Sequence, residues 1–235
     1  MALPVYLAMT ASELLRAKSI PDKPAWMACH FSCYGLGLSN FPPQLPEGAM
    51  LILSDCIPIR QHNPNQIAAE LTLLTEKHAV GCVLLDFQRP QCPALSAVAK
   101  LLTRTVRVPI AVTPHYAKPL NCAVFLPPPA PHKPLAEHLH AWCGRDIWLE
   151  AALENQTLTV TPGGTTISDP AAYQPCQPSF ENEKLHCRYH THIGNQQVVF
   201  TLFRTRPCLQ ALLNEAEQLG VSRAVGLYQQ LGDRI

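Results

Sequence analysis

The sequence predicts an α/β protein that folds as a compact (β/α)8 TIM-type barrel with a small antiparallel insertion before the last strand. Short apolar runs alternate with helical patterns, which is typical of βαβ units around a parallel sheet. Eight such runs can be counted, and eight is the strand number of this barrel. One late segment changes to the alternating pattern of antiparallel strands. We therefore expect residues 1–235 to form one barrel domain, with residues 154–203 inserted in it.

The first strand is predicted at Val5–Met9, because a capping-box pattern, Thr10-x-x-Glu13, follows it and opens a helix. The next six strands are apolar runs, several of them apolar at consecutive positions, as expected of strands that are covered on both faces. They are Ala25–Phe31, Met50–Ser54, Val80–Phe87, Val108–Thr113, Cys122–Leu126 and Ile147–Ala151.

Helical spacing of apolar residues separates these strands. Asn63-Pro64 provides a cap and a first-turn proline for a helix that should run to about His78, and Pro93 and Pro134 begin two more helices. Pro207 opens the last amphipathic helix, which Gly220 closes. The run Arg223–Leu227 then supplies the eighth strand.

The insertion is predicted from Glu154 to Phe203. Thr157–Thr161 alternates in polarity, and Pro162-Gly163-Gly164 and Gly194-Asn195 are turn signals of the kind that join antiparallel strands. This segment therefore differs from the parallel units on either side of it.

Composition excludes several classes of partner. The formal net charge is +1, which gives no electrostatic footprint for nucleic acid or an anionic membrane. There is no apolar run of about 18 residues and no signal-peptide pattern at the N-terminus, so we expect a cytoplasmic protein without a membrane span. The ten cysteines are scattered, many within apolar runs, and are expected to be free thiols. The oligomeric state is left open.

Histidines do not predict a metal centre. His186, His190 and His192 share one strand face, and His138-x-His140 lies on a helix, but neither set has ligand spacing backed by carboxylates. We therefore predict no metal and no cofactor.

The most informative strand end is Val83-Leu84-Leu85-Asp86-Phe87-Gln88-Arg89-Pro90, on the fourth predicted strand. Active sites of parallel barrels lie at the carboxyl ends of the strands, and alternation places Leu84, Asp86 and Gln88 on one face. This stretch resembles the fourth strand of the chitinase-type (family eighteen) glycoside hydrolases, where alternating acids end in Asp-aromatic-Glu. A second stretch, Tyr189–Phe200 followed by a helix and Gly220–Tyr228, is similar to the closing strands of those barrels.

The resemblance implies a role for Asp86 and the loss of another group. Asp86 matches the aspartate that steers the acetamido group of the substrate. Gln88 replaces the proton-donating glutamate, Leu84 replaces an earlier aspartate, and Tyr228 replaces the closing tryptophan. A carboxamide donates hydrogen bonds but cannot deliver a proton, and general-acid catalysis contributes about 10²–10⁴-fold. The family's reaction is therefore not expected.

Other polar residues near strand ends complete the candidate site. Asp55 and Glu150 could supply the missing acid if they converge with Asp86. Alternatively, Asp86 is a structural aspartate held by Arg89 or backbone donors. The remaining ligand-binding candidates are Arg89, His115, Tyr116 and Tyr228.

Three hypotheses of function follow. The leading one is a degenerate hydrolase-like protein that binds a carbohydrate or another small polar ligand at the barrel mouth without hydrolysis. The second is an active glycosidase with Asp55 or Glu150 as its acid. The third is a scaffold whose insertion, residues 154–203, contacts a protein partner.

Overall fold

The computed structural model describes residues 2–17, 19–42, 44–57, 59, 63–168, 178–194 and 196–232. Its main sheet contains eight parallel strands and a short antiparallel strand. The strands are β1 (Val5–Met9), β2 (Pro24–Phe31), β3 (Leu38–Ser39), β4 (Met50–Ser54), β5 (Cys82–Asp86), β6 (Ile110–Val112), β7 (Ala123–Leu126), β8 (Ile147–Ala151) and, after the five strands of the insertion, β14 (Val221–Leu227).

The eight parallel strands close into a barrel. Their order is β1-β14-β8-β7-β6-β5-β4-β2, and β2 pairs back with β1 through Leu7↔Pro24, Ala8↔Ala25 and Met9↔Trp26. The short strand β3 pairs antiparallel with the end of β2. The predicted barrel is thus confirmed, and the strand that carries Asp86 is the fourth of its eight strands.

Helices connect most of the barrel strands and cover their outer face. They are α1 (Ala11–Arg16), α2 (Pro64–Lys77), α3 (Pro93–Thr105), α4 (Pro114–Ala117), α5 (Leu135–His140), α6 (Arg206–Gln218) and α7 (Tyr228–Leu231). The predicted capping box is present, because the Glu13 carboxylate accepts from the Thr10 amide at 2.7 Å and the Thr10 hydroxyl accepts from the Glu13 amide at 3.3 Å. Asn63 caps α2 as the sequence predicts. None of the helices in the described ranges combines the length and apolar character needed to cross a bilayer.

The connection from β2 to β4 departs from the regular alternation. Within the described residues it contains β3 and no helix. Glu70 of α2 holds this connection, because its carboxylate accepts from the Leu38 amide at 2.6 Å. The Trp26 indole also donates to the Asn40 carbonyl at 3.0 Å, so long-range hydrogen bonds hold this connection in the absence of a helix among its described residues.

The core has two layers. Outside the barrel, apolar residues of the strands pack against α2 and α3 on one side and against α5, α6 and α7 on the other. Inside, alternate residues of the same strands fill the barrel, as the two-residue period of a strand requires. These inward residues are Tyr6, Ala8, Ala25, Met50, Ile52, Cys82, Leu84, Ala111, Ala123, Phe125, Trp148 and Val225.

Trp148 and Arg223 close the interior of the barrel. The Trp148 side chain is fully buried, and the Arg223 guanidinium lies over its ring at 4.8 Å. Burial is the main reason that the pKa of Tyr6 is raised to about 12. The barrel interior around Trp148 is therefore a packed core, and a cavity opens above it towards the carboxyl ends of the strands.

The insertion is a separate five-stranded antiparallel sheet. It contains β9 (Asn155–Thr161), β10 (Gly164–Ser168), β11 (Phe180–Asn182), β12 (Cys187–Gly194) and β13 (Gln197–Phe203), in the order β10-β9-β13-β12-β11. Its strands run from Asn155 to Phe203, and the predicted antiparallel insertion before the last barrel strand is thus confirmed. The predicted turn at Gly194-Asn195 falls partly outside the described residues, because Asn195 is not described.

Candidate functional site at the barrel mouth

A cavity of about 160 Å³ opens at the carboxyl ends of the barrel strands. Most of its wall is apolar. The polar side chains in the wall are Ser54, Asp86, Gln88 and Glu150, and the other lining residues are Ala8, Met27, Ile52, Leu84, Phe125, Val225, Gly226 and Leu227. An apolar pocket with a few convergent polar groups is the usual form of a small-molecule site.

A second cavity of about 160 Å³ adjoins the first. Both are lined by Gln88, Phe125 and Glu150, and the second also has Thr113 and His115 in its wall. The two cavities together extend the mouth from β5 towards β6 and β7. A ligand longer than one small ring could therefore contact both.

Asp86 is the last residue of β5 and points into the first cavity. It lies level with Ser54 in the parallel register of β4 and β5. Burial is the main cause that raises its pKa, the hydrogen bond from Gln88 opposes this, and the charge of Asp55 adds to it. The prediction that Leu84, Asp86 and Gln88 share one face agrees with their common place in the cavity wall.

Gln88 hydrogen-bonds directly to Asp86. Its Nε2 donates to Oδ1 of Asp86. The side chain is otherwise exposed at the mouth. A glutamate at this position would place a second carboxyl against Asp86, whereas the carboxamide provides a donor and favours the ionised form of the aspartate.

Asp55 has a different position from its neighbour Ser54. It is 4% exposed, and its two carboxylate oxygens accept from the backbone amides of Gln88 at 2.9 Å and Arg89 at 3.0 Å. It lines neither cavity. Asp55 therefore fixes the loop that carries Gln88, and the structure does not bring it to the cavity as an acid.

Glu150 enters the cavity from β8, which is three strands away from β5 in the barrel order. It points inward because it lies two residues after the inward-facing Trp148 on the same strand. Its pKa is raised to about 7, first by burial, then by the charges of Asp86 and Glu154. Among the described residues its carboxyl group makes no hydrogen bond, whereas Asp86 accepts one from Gln88. Of the two acids in the wall, Glu150 therefore has more hydrogen-bonding capacity left for a ligand.

The four predicted ligand-binding residues occupy different surroundings. His115 is exposed and lines the second cavity. Arg89 is exposed but lines neither cavity. Tyr116 is 3% exposed, and its hydroxyl donates to the Arg89 carbonyl and accepts from the Cys92 amide at 3.3 Å. Tyr228 begins α7 and packs against the outer core, so the structure brings only His115 of this group to the cavities.

Sequence reasoning missed several wall residues. Ser54, Phe125 and Met27 line the first cavity. A signal for Ser54 was present, because alternation along β4 turns Ile52 and Ser54 inward and Asp55 outward. Phe125 follows the same rule after Ala123 on β7. The residues that line the cavity are therefore identified by which alternate positions of each strand face inward, and not by the last polar residue of the strand.

Histidines and cysteines contribute to local packing in the structure. His186 precedes β12 and pairs with Glu215, while the ring of His190 stacks on Phe203 at 5.0 Å between centroids. In the described ranges no three His, Cys, Asp or Glu side chains are grouped in a way that could hold a metal ion. The nine described cysteines are unpaired thiols.

The comparisons with solved structures agree on the fold. The chain matches a chitinase from Chromobacterium violaceum with a TM-score of 0.58 at 11% identity, covering 100% of this chain and 96% of that one. It matches a glycoside hydrolase family 18 N-acetylglucosaminidase from Paenibacillus barengoltzii with a TM-score of 0.58 at 10% identity, covering 95% and 94%. For the spore cortex-lytic enzyme SleL from Bacillus cereus the TM-score is 0.57 at 10% identity, covering 96% and 70%.

These likenesses show the fold of the protein: a (β/α)8 barrel similar to those of the chitinase and the other two enzymes. At such low sequence identity, a structural likeness shows the architecture of a protein and not its activity. No family model matches the sequence, and no curated protein does.

Proposed function

We propose that this protein binds a carbohydrate at the mouth of its barrel and does not hydrolyse it. The observation that carries the proposal is the pairing of Asp86 with Gln88 in the cavity wall. Asp86 lies in the cavity wall, where its carboxyl group can hydrogen-bond a sugar. Gln88 provides further donor and acceptor atoms but no proton for a leaving group.

The shape of the site supports a sugar ligand. Polar groups on β4, β5 and β8 surround apolar surface from Met27, Leu84 and Phe125. Sugars present both hydroxyl groups and apolar ring faces, so a wall of this composition suits them. The adjoining cavity beside His115 provides room for a second ring.

Calorimetric titration with a panel of short oligosaccharides tests the proposal, combined with chromatography of the same mixtures after long incubation. We expect saturable binding, unchanged sugar, and at least about tenfold weaker binding for Asp86→Asn, because a charge-assisted hydrogen bond contributes about 1.5–3 kcal/mol. Glu137→Gln removes an exposed carboxylate from α5 and serves as the matched control. Sugar binding that Asp86→Asn leaves unchanged would contradict the assigned site.

A second candidate function is glycoside hydrolysis with Glu150 as the acid. It is favoured by one observation: Glu150 lines the same cavity as Asp86, and its pKa of about 7 keeps a fraction of it protonated at neutral pH. General acids work best when their pKa lies near the working pH. Asp55, the other acid proposed from the sequence, is occupied by two backbone amides.

Turnover of aryl glycosides distinguishes the two candidates. If Glu150 donates the proton, activity falls as the pH rises through about 7, because the acid must be protonated to act. Glu150→Gln would then abolish turnover while Glu137→Gln would not. Absence of turnover over the whole pH range would support the binding function.

A further inference from the structure

The charges in the mouth are unbalanced. Asp86 and Glu150 line the first cavity, and no lysine or arginine is among its lining residues. Neighbouring charges add to this imbalance, because Asp55, just after β4, raises the pKa of Asp86 and Glu154, after β8, raises the pKa of Glu150. The wall of the adjoining cavity contains one histidine, His115, and no lysine or arginine. Two carboxyls therefore share a largely apolar chamber without a protein cation.

Two ionised carboxyl groups in this cavity are unfavourable when no cation is bound between them. Burial disfavours both ionised forms and raises both pKa values, and the charge of Asp86 raises the pKa of Glu150 further. A neutral acetamido sugar would leave the imbalance in place. A ligand cation between the two carboxyls would remove it, and the apolar wall would strengthen the attraction by excluding water.

We propose that the ligand of this cavity carries a primary ammonium group, as a de-N-acetylated amino sugar does, and that Asp86 and Glu150 bind it together. The proposal rests on the function proposed above and names the chemical class of the ligand. It also departs from the acetamido recognition that the sequence resemblance implies for Asp86.

The hydrogen-bonding capacity of the site fits an ammonium. Such a group has three N–H donors and no acceptor. The Gln88 amide occupies Oδ1 of Asp86 and leaves the other carboxylate oxygen without a donor among the described residues, where the Glu150 carboxyl also makes no hydrogen bond. With Gln88 in place the cavity wall contains two carboxyl groups, whereas a glutamate at this position would add a third next to Asp86.

Proton release is the distinguishing signature of this binding mode. Glu150 is mostly protonated well below pH 7 and must ionise to pair with the ammonium. Affinity should therefore rise with pH, by up to about tenfold between about pH 5.5 and 6.5, with release of close to one proton per ligand. An uncharged sugar requires no such release.

The test compares the trimer of glucosamine with the trimer of N-acetylglucosamine on the full chain. Calorimetry in two buffers of different ionisation enthalpy measures both affinity and protons released. We expect the glucosamine trimer to bind at least about tenfold more tightly at pH 6.5 and to release protons. Glu150→Gln should remove both the proton release and the pH dependence, and Glu137→Gln should remove neither.

The outcomes separate this inference from the proposed function. Equal or tighter binding of the N-acetylated trimer, at the same cavity, would overturn the ammonium inference and leave sugar binding in place. Binding of the glucosamine trimer that Glu150→Gln does not alter would also overturn it, because contact with the outer surface would then explain the affinity. If neither trimer binds and no member of the wider oligosaccharide panel binds, the proposed function itself is overturned.

Discussion

Asp55 and Asp86 end neighbouring strands, but their side chains serve different purposes. Asp86 faces the cavity, whereas Asp55 turns away from it and accepts from two backbone amides of the loop after β5. The difference follows from parity, since Asp55 is one residue past the inward-facing Ser54 and Asp86 is itself inward. One residue of offset thus converts a candidate acid into a structural support.

The first prediction concerns the stability that Asp55 provides. Asp55→Asn keeps the shape but replaces one acceptor oxygen by a donor, so it should lower the free energy of unfolding by about 1–3 kcal/mol. Denaturant unfolding measures this change. Asp86→Asn is the comparison, and we expect it to be near neutral or stabilising, because it removes a disfavoured charge. Equal destabilisation by the two variants would contradict the distinction.

The second prediction concerns the pH dependence of stability at Glu150. Its folded pKa is raised from 4.5 to about 7, so the stability associated with the protonated form is complete below about pH 4.5 and is lost as the pH rises to about 7. Glu150→Gln does not titrate and should therefore be more stable than the natural protein at pH 8, by on the order of 3 kcal/mol at most.

Unfolding curves at about pH 4 and pH 8 check that sign. The gain from Glu150→Gln should be present at the higher pH and small at the lower one. The exposed Glu137→Gln should show no such difference. A gain of the same size at both pH values would mean that the substitution acts through packing and not through the charge of Glu150.

At the scale of elements, alternation and capping signals predicted most of the barrel. β1, β4 and β8 have the predicted bounds, and α2 begins at the predicted proline. The predicted strand Val80–Phe87 is shortened to Cys82–Asp86. The apolar run continues beyond the strand at both ends, because Val80 and Phe87 are buried by packing and not by strand pairing.

Gly81, just before β5, makes a close approach to another segment that could not be predicted from the sequence. A Cβ at this position would lie 2.7 Å from the backbone oxygen of Gly48, which belongs to the turn before β4. That approach joins residues far apart in the sequence. The connection held by Glu70 is hidden for the same reason, because its partner at Leu38 lies 32 residues away.

The third prediction tests this close approach. Gly81→Ala should destabilise the fold by about 1–3 kcal/mol, since the clash is with backbone that cannot move freely. Gly163→Ala is the matched control, because its Cβ would meet only the Thr161 hydroxyl at 3.7 Å. Thermal unfolding of the two variants gives the comparison, and equal melting temperatures would contradict the assigned contact.

For the whole molecule, the barrel explains why the site lies where it does. Buried side chains such as Trp148 fill the lower interior, and the inward residues near the carboxyl ends of the strands leave open space. Fold and strand order could be predicted from local patterns. The convergence of Asp86 with Glu150 could be proposed but not established, because it depends on closure of the barrel between strands 64 residues apart along the chain.

The chemistry of the mouth is the part that sequence resemblance predicted least well. The resemblance directs attention to Asp86 and Gln88, yet it gives no role to Glu150, which changes the charge of the cavity. It also directs attention to Tyr228, which packs outside the barrel. Function at this site follows from which side chains share the chamber, a property of the closed barrel.

The central claim is that a sugar occupies the cavity between β5 and β8, and crystals soaked with the glucosamine trimer test it most directly. We expect ring density against Phe125, with a polar atom of the ligand within hydrogen-bond distance of the Asp86 and Glu150 carboxyls. Clear density for the trimer elsewhere on the protein, with this cavity filled only by solvent, would contradict the account.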